Sequence, residues 1–280
     1  MAYIGRFAPS PSGPLHMGSL VTAVASYLCA KHAQGEWWVR IDDIDPPRSD
    51  PQALNHIQTC LQAHGLHPHG PYEFQSQHSA RYRDALARLS SDLFYCQCSR
   101  RSLAKLEAYP GTCRANTTPK LDHAVRVKVH KAEIHFHDNL CGPQQFALHR
   151  RGGDFIVKRR DELWAYNLAT AVDDGNKYTH VVRGQDLLDT TAAQIYLMQQ
   201  LGLTIPSYSH IPLLYDNQGA KLSKQHGATA VNNNQPLENL RFVLTLLGQN
   251  PQLGTTQPKA LLQQASKVWN IANIPAILAT

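Results

Sequence analysis

The 280-residue sequence has no run approaching the ~18 consecutive apolar residues that a membrane span needs. Its first ten residues hold no basic segment leading into an apolar core. The expectations are therefore a cytoplasmic location and no membrane partner. Cysteine is sparse and unevenly spaced, six in all, which excludes a disulfide framework and leaves reduced thiols with room for one metal site. With no leader, the sequon at Asn116 carries no meaning. There is no internal repeat and no low-complexity tract, and the 42% hydrophobic share is that of a folded globular protein, not of a disordered chain. Charge is also thin, at 17%, but tilted: 27 Lys and Arg against 21 Asp and Glu leave +6, a modest surplus that favours a polyanionic partner without requiring one.

What is present alternates between strand and helix signals. Residues 3–7 read as a buried strand, 8–14 as a Pro/Gly/Ser loop, and 19–32 as a helix with Leu20, Val24, Tyr27 and Leu28 on one face. Residues 37–41 read as a second strand, Pro46-Pro47 as a break, and 52–64 and 79–89 as helices. This alternation predicts a parallel sheet with right-handed crossovers, an α/β fold of doubly wound, Rossmann type. Residues 1–93 form its first half. From 94 to 161 the pattern shifts to short segments with three clustered cysteines, the signature of a small inserted subdomain. Alternation resumes in 162–235, with helices at 166–172 and 190–201 around a strand at 178–182. Residues 236–280 form a short helical tail carrying Leu237, Leu240, Val243, Leu244 and Leu247 at helical spacing.

Two segments carry chemistry. Between the first strand and helix, Arg6-Phe-Ala-Pro9-Ser10-Pro-Ser-Gly13-Pro-Leu-His16-Met-Gly18-Ser19 brings Pro9, Gly13, His16, Gly18 and Ser19 to a helix N-terminus. Unpaired N–H groups and the positive dipole end there suit a triphosphate. About two hundred residues later, Lys221-Leu-Ser-Lys224 follows a Gly-containing turn, and two lysines three apart suit phosphates as point charges. A surface loop is the bland alternative for either segment alone.

Together they resemble the paired HIGH and KMSKS signatures of the class I aminoacyl-tRNA synthetase superfamily. Arg6-Phe7-Ala8-Pro9-Ser10, Arg40-Ile-Asp42-Asp-Ile-Asp, Tyr166-Asn-Leu-Ala and Arg183-Gly-Gln-Asp are similar to the glutamate-specific branch. The resemblance implies a class I catalytic core, ATP with Mg²⁺ as substrate, and His16, Lys221 and Lys224 as the catalytic set. Pro9, Gly13, Gly18 and Ser19 would join His16 and Lys224 at ATP. It also implies an L-glutamate pocket of Arg6, Phe7, Ala8, Pro9, Ser10, Asp42, Tyr166 and Arg183. The branch usually has glutamate where Asp42 stands, one methylene longer. Glutamyl-tRNA synthetases continue past the second signature into large anticodon-reading domains, whereas here a tail of about forty-five residues follows. The chain as a whole resembles the shortened paralogues that attach glutamate to queuosine in the anticodon of tRNA(Asp). That RNA is the expected partner, with a monomer as the default state.

Cys96-Gln-Cys98 followed by Tyr109 and Cys113 admits one structural zinc held by three thiolates and a phenolate, or simply three reduced thiols. The same paralogues carry this Cys, Cys, Tyr, Cys set, which implies zinc. Cys29 and Cys60 sit at helical core positions and read as packing residues. Three other functions fit parts of the pattern: a compact glutamyl-tRNA synthetase charging a tRNA 3′ end, a small-molecule adenylate-forming ligase of the same superfamily, and an inactive RNA-binding module.

Overall fold

The computed structural model describes residues 2–130, 133–215, 229–250 and 254–279. Lys221 and Lys224 lie outside the described residues. The first half of the chain runs β1 (Ile4–Phe7), α1 (Met17–His32), β2 (Glu36–Ile41), α2 (Ala53–Ala63), β3 (Glu73–Phe74) and α3 (Ser79–Arg88). Next come β4 (Leu93–Cys96), α4 (Arg100–Leu103), β5 (Ala124–Val127), β6 (Glu133–Asp138), β7 (Gly142–Ala147) and β8 (Phe155–Lys158). The remainder is α5 (Tyr166–Lys177), β9 (His180–Gly184), α6 (Leu188–Leu201), β10 (Ser207–Ile211), β11 (Leu214–Tyr215), α7 (Pro236–Leu246), α8 (Pro258–Val268) and β12 (Leu278–Ala279).

Seven strands make one sheet in the order β3-β2-β1-β9-β10-β6-β7. Neighbours from β3 to β6 run parallel and the β6–β7 hairpin is antiparallel. The chain winds one way from β1 through β2 to β3 and the other way from β9 to β10, so the winding reverses between β1 and β9. In such sheets a crevice opens outside the carboxyl ends of the strands at that reversal. Successive side chains of β9 alternate faces, with Val182 in one core and Val181 in the other. The first core joins α1, α2, α7 and α8, and the second joins α3, α5 and α6.

Helix α1 is covered by the sheet on one side and by the tail on the other, so Leu20, Val24 and Leu28 are fully buried, with Leu240, Val243, Leu244, Leu261 and Leu262 in the same cluster. It starts at Met17, two residues before the expected start, because the Nδ1 of His16 accepts from the Ser19 N–H at 3.3 Å and caps it. Pro236 and Pro258 each open a tail helix, where a missing N–H costs nothing. The tail closes with β12 parallel to β11. Strand β10 ends at Ile211, ahead of Pro212, which has no N–H for a ladder, and β11 begins at Leu214.

The segment 94–161 is divided between two sheets. Strands β4, β5 and β8 form a three-stranded antiparallel sheet near the cysteines. Strands β6 and β7 instead extend the main sheet beyond β10, through the parallel pair Tyr208–Asp138. Their apolar face explains the docking: Ile134 is buried in the second core, and Phe136 and Phe146 pack against it.

Candidate active site

At the carboxyl ends of β1 and β9 lies a cavity of about 320 Å³. Arg6, Phe7, Ala8, Pro9 and Ser10 reach it from β1 and the loop after it, His16, Gly18 and Ser19 from the start of α1, Tyr166 from the first residue of α5, and Arg183 from β9. These expected residues meet in one place although they span 178 positions of sequence. The first turn of α1 carries no acidic residue, which leaves its positive dipole end open to an anion. Gly13 is not in the lining; it turns the loop at φ 141°, a conformation that side chains rarely adopt.

Asp42 is also absent from the lining. Its backbone N–H donates to the Pro9 carbonyl at 3.0 Å, which sets it beside the cleft loop. Its carboxylate, however, accepts from Arg40 Nε at 2.7 Å and Nη2 at 3.4 Å. The short side chain stays with its neighbour two residues back.

Beneath the cavity floor the charges form a buried network. Arg6 donates to Asp174 through Nε at 3.2 Å and Nη2 at 3.0 Å, and Arg40 donates to the same carboxylate at 2.6 Å. Asp173, next in chain, accepts from the Tyr82 hydroxyl at 2.6 Å and the Gln75 amide at 3.0 Å, with His78 Nδ1 at 2.8 Å. Burial alone would raise the pKa of Asp174, but the charges of Arg6 and Arg40 outweigh it and hold the carboxyl at about 2. For Asp42 burial prevails over Arg40, and its pKa is raised.

Arg183 differs from these arginines. It is buried, and its hydrogen-bond partners are His210 Nε2 at 3.1 Å, the Gln194 amide oxygen at 2.8 Å and the Thr191 hydroxyl at 2.6 Å. Burial lowers the pKa of His210, so at neutral pH the ring, like Gln194 and Thr191, is uncharged. Among the described residues no carboxylate lies within ion-pair distance of Arg183. A buried cation whose hydrogen-bond partners are all neutral favours an anionic ligand.

Sequence reasoning missed Asp173, Asp174, Asp138, His210, Thr191 and Gln194 as site residues. The available signal was in α5, where two consecutive acids follow Leu168, Ala169, Ala171 and Val172, all core positions of the helix. Acids at buried helical positions require cationic partners.

At the end of β4, the Sγ atoms of Cys96, Cys98 and Cys113 lie within 4.8 Å of one another. The Tyr109 hydroxyl is 3.4 Å from Cys96 Sγ and 3.9 Å from Cys98 Sγ, and Cys98 and Cys113 are 3.7 Å apart. A tetrahedron with zinc–sulfur bonds of about 2.3 Å has edges of about 3.8 Å, so three soft thiolates and a phenolate at this spacing fit zinc. Burial alone would raise the Cys96 pKa, yet hydrogen bonds with Tyr109, the Cys98 backbone and Arg126 bring it down to about 7, favouring the thiolate that a metal needs.

A Rossmann-type sheet whose first crossover begins with Pro-Ser-Gly-Pro-Leu-His-Met-Gly, above a buried arginine cleft, matches a family model over residues 4–254: tRNA synthetases class I (E and Q), catalytic domain. The chain belongs to that family. A solved glutamate tRNA ligase from Elizabethkingia meningosepticum, in complex with its amino acid, shares the fold with a TM-score of 0.78 at 22% identity, over 94% of this chain and 64% of that one. Two curated relatives cover nearly everything. Glutamyl-Q tRNA(Asp) synthetase of Acinetobacter baylyi is 44% identical over 98% of this chain and 94% of its own length. That of Methylococcus capsulatus is 46% identical over 98% and 93%. The chain thus belongs to the glutamyl-Q tRNA(Asp) synthetase family and is a ligase. Among the described residues no helix is long and apolar enough to cross a membrane.

Proposed function

We propose that the protein activates L-glutamate with ATP and transfers it to queuosine in the anticodon of tRNA(Asp), in the cytoplasm. Arg183 carries this reading: a buried cation with neutral partners in the cleft calls for a carboxylate. Glutamate has two, and one must stay free for chemistry. The γ-carboxylate goes to Arg183, and the α-carboxylate points toward the start of α1, where the triphosphate sits at the open helix end. An α-carboxylate oxygen attacks the α-phosphorus, the bond to the bridging oxygen breaks, and pyrophosphate leaves. Such transfer needs positioning and charge stabilisation and no covalent enzyme intermediate. His16 and the N–H groups near Gly18 and Ser19 serve that role, together with Lys221 and Lys224. Mg²⁺ bound to the phosphates supplies further neutralisation. The residues flanking the lysine segment support its use here, since Leu214 lines the cavity and Ala230 bridges His16. In the second step a queuosine hydroxyl attacks the activated carbonyl and AMP departs, leaving an ester. Asp42, close to the cleft loop, contributes the negative charge that favours the substrate ammonium. Cys96, Cys98, Tyr109 and Cys113 would hold a structural zinc that staples their segment and takes no part in these steps.

The RNA partner is supported by charge placement. Of the 27 Lys and Arg, 13 fall in 94–161, against 6 of the 21 Asp and Glu, so this segment has a surplus of seven and the rest a deficit of one. Positive charge concentrated in one segment is an electrostatic footprint of nucleic-acid binding. The test is transfer of labelled glutamate, with ATP and Mg²⁺, to tRNA(Asp) with and without queuosine and to tRNA(Glu). Label on queuosine-containing tRNA(Asp) alone is expected. Label on tRNA(Glu) would return the protein to 3′-end charging, and label on neither would remove RNA as the acceptor.

A further inference from the structure

Three adjacent parallel strands, β9, β10 and β6, carry a relay from Arg183 through His210 to Asp138. On β9 and β10, Arg183 and His210 are register partners. On β6, Asp138 pairs with Tyr208, two residues before His210. Asp138 is fully buried and held by four donors: the N–H groups of Leu140 at 3.0 Å, Cys141 at 2.9 Å and His210 at 3.2 Å, and the His210 ring Nδ1 at 2.6 Å. These bonds keep Asp138 ionised, with hydrogen bonding overcoming the opposing effect of burial. An ionised carboxylate can only accept, so Nδ1 of His210 carries the proton and Nε2 must present a lone pair. That lone pair receives Arg183 Nε–H at 3.1 Å, while the Thr191 hydroxyl, 3.0 Å from the same nitrogen, donates its proton to the Leu187 carbonyl at 3.0 Å.

The remaining anchors of Arg183 are Gln194 on Nη1 and Thr191 on Nη2, both from α6. Each guanidinium nitrogen is therefore fixed once, and of the five N–H groups two stay uncommitted, one on each terminal nitrogen. Two such N–H groups are what a carboxylate takes in the bidentate mode. We infer that His210 is a positioning residue for glutamate binding: Asp138 fixes its tautomer, and its Nε2 sets the plane of Arg183 so that the two uncommitted N–H groups meet the γ-carboxylate. The inference rests on the reading of Arg183 as a glutamate ligand. If His210 were merely a satisfied core histidine, its bond to Asp138 would matter and its bond to Arg183 would not.

Two substitutions separate the bonds. His210→Asn keeps a donor near the Nδ1 position, for Asp138, and loses the acceptor for Arg183. His210→Gln puts an amide oxygen near the Nε2 position and gives up the Asp138 bond. In glutamate-dependent ATP–pyrophosphate exchange, H210N is expected to raise the KM for glutamate about 10- to 100-fold, the range for a charged group that loses an orienting hydrogen bond. The KM for ATP stays within about 3-fold and kcat changes far less than the glutamate KM. H210Q is expected to restore most of the loss despite a lowered Tm. A wild-type glutamate KM in H210N, or H210Q weaker than H210N, overturns the inference. Should H210N fail to fold, H210Q decides: a glutamate KM within about 5-fold of wild type supports it, and a rise above about 30-fold overturns it. Absence of wild-type exchange with glutamate would sink the functional reading and this inference with it. Normal wild-type exchange with an unmoved KM in H210N would sink this inference alone.

Discussion

Asp174→Asn removes the carboxylate that two buried arginines share. Asp174 accepts from Arg6 twice and from Arg40 once and is fully buried, so the variant leaves Arg6 without its ion-pair partner and Arg40 with Asp42 and Asp173. Removing one member of a buried ion-pair network costs about 3–5 kcal/mol. At about 2.1 cal/mol/K of unfolding entropy per residue, a chain of this size loses about 2 °C of Tm for each kcal/mol, and the expected fall at pH 7 is about 5–9 °C. The pH dependence is an independent check. The folded pKa of Asp174 is depressed to about 2, below the ordinary value, so its contribution is present above pH ~4 and lost as pH falls through ~2. That shift corresponds to about 2–3 kcal/mol, of which about half is gone by pH 3. Melting curves of wild type and D174N by circular dichroism, taken from pH 7 to pH 3, should show the gap between them narrowing. A gap under ~2 °C at pH 7, or one that stays constant into acid, would refute the network as drawn.

Cys98→Ser should reduce bound zinc from one per chain to a small fraction, read by metal analysis of the purified protein, while exchange activity at low temperature persists; full zinc retention would contradict the thiolate set. His16→Ala removes both the cap of α1 and a cleft side chain. It should cost about 1 kcal/mol of stability, and exchange should fall by about 100-fold or more, far beyond what lost stability explains. Leu261→Ala empties a fully buried site against α1. It should cost about 2–5 kcal/mol, seen as a Tm lower by about 3–9 °C, with the glutamate KM unchanged below the transition. An unaffected Tm would mean that the tail is not part of the core.

The cleft was legible where its chemistry is contiguous. Residues 6–19 hold a strand end, a loop and a helix start in fourteen positions, and local rules suffice to aim them at one point. Helix periodicity likewise predicted α1, α2, α3 and the tail, because each buries one apolar stripe. The arrangement of 94–161 was not legible: β6 joins β10 through a pairing some seventy residues distant, and nothing local distinguishes an edge strand of the main sheet from a strand of a separate unit. The partner of Asp42 was hidden for a similar reason. The carboxylate one methylene short turns to Arg40, which Asp174 of α5 also holds from 134 positions further along the chain.

The division of 94–161 between two sheets bears on how such a chain can be altered. A segment that folds apart can be exchanged between relatives as a cassette, with the host protein unaware of the swap. Here the stretch that looks detachable supplies β6, the neighbour of β10 in the main sheet, and with it Asp138. A chimera that replaces 94–161 whole would also exchange the carboxylate that holds His210 beside Arg183. Cuts on either side of β4, β5 and β8 that leave residues 133–147 in place would move the cysteine-bearing portion alone.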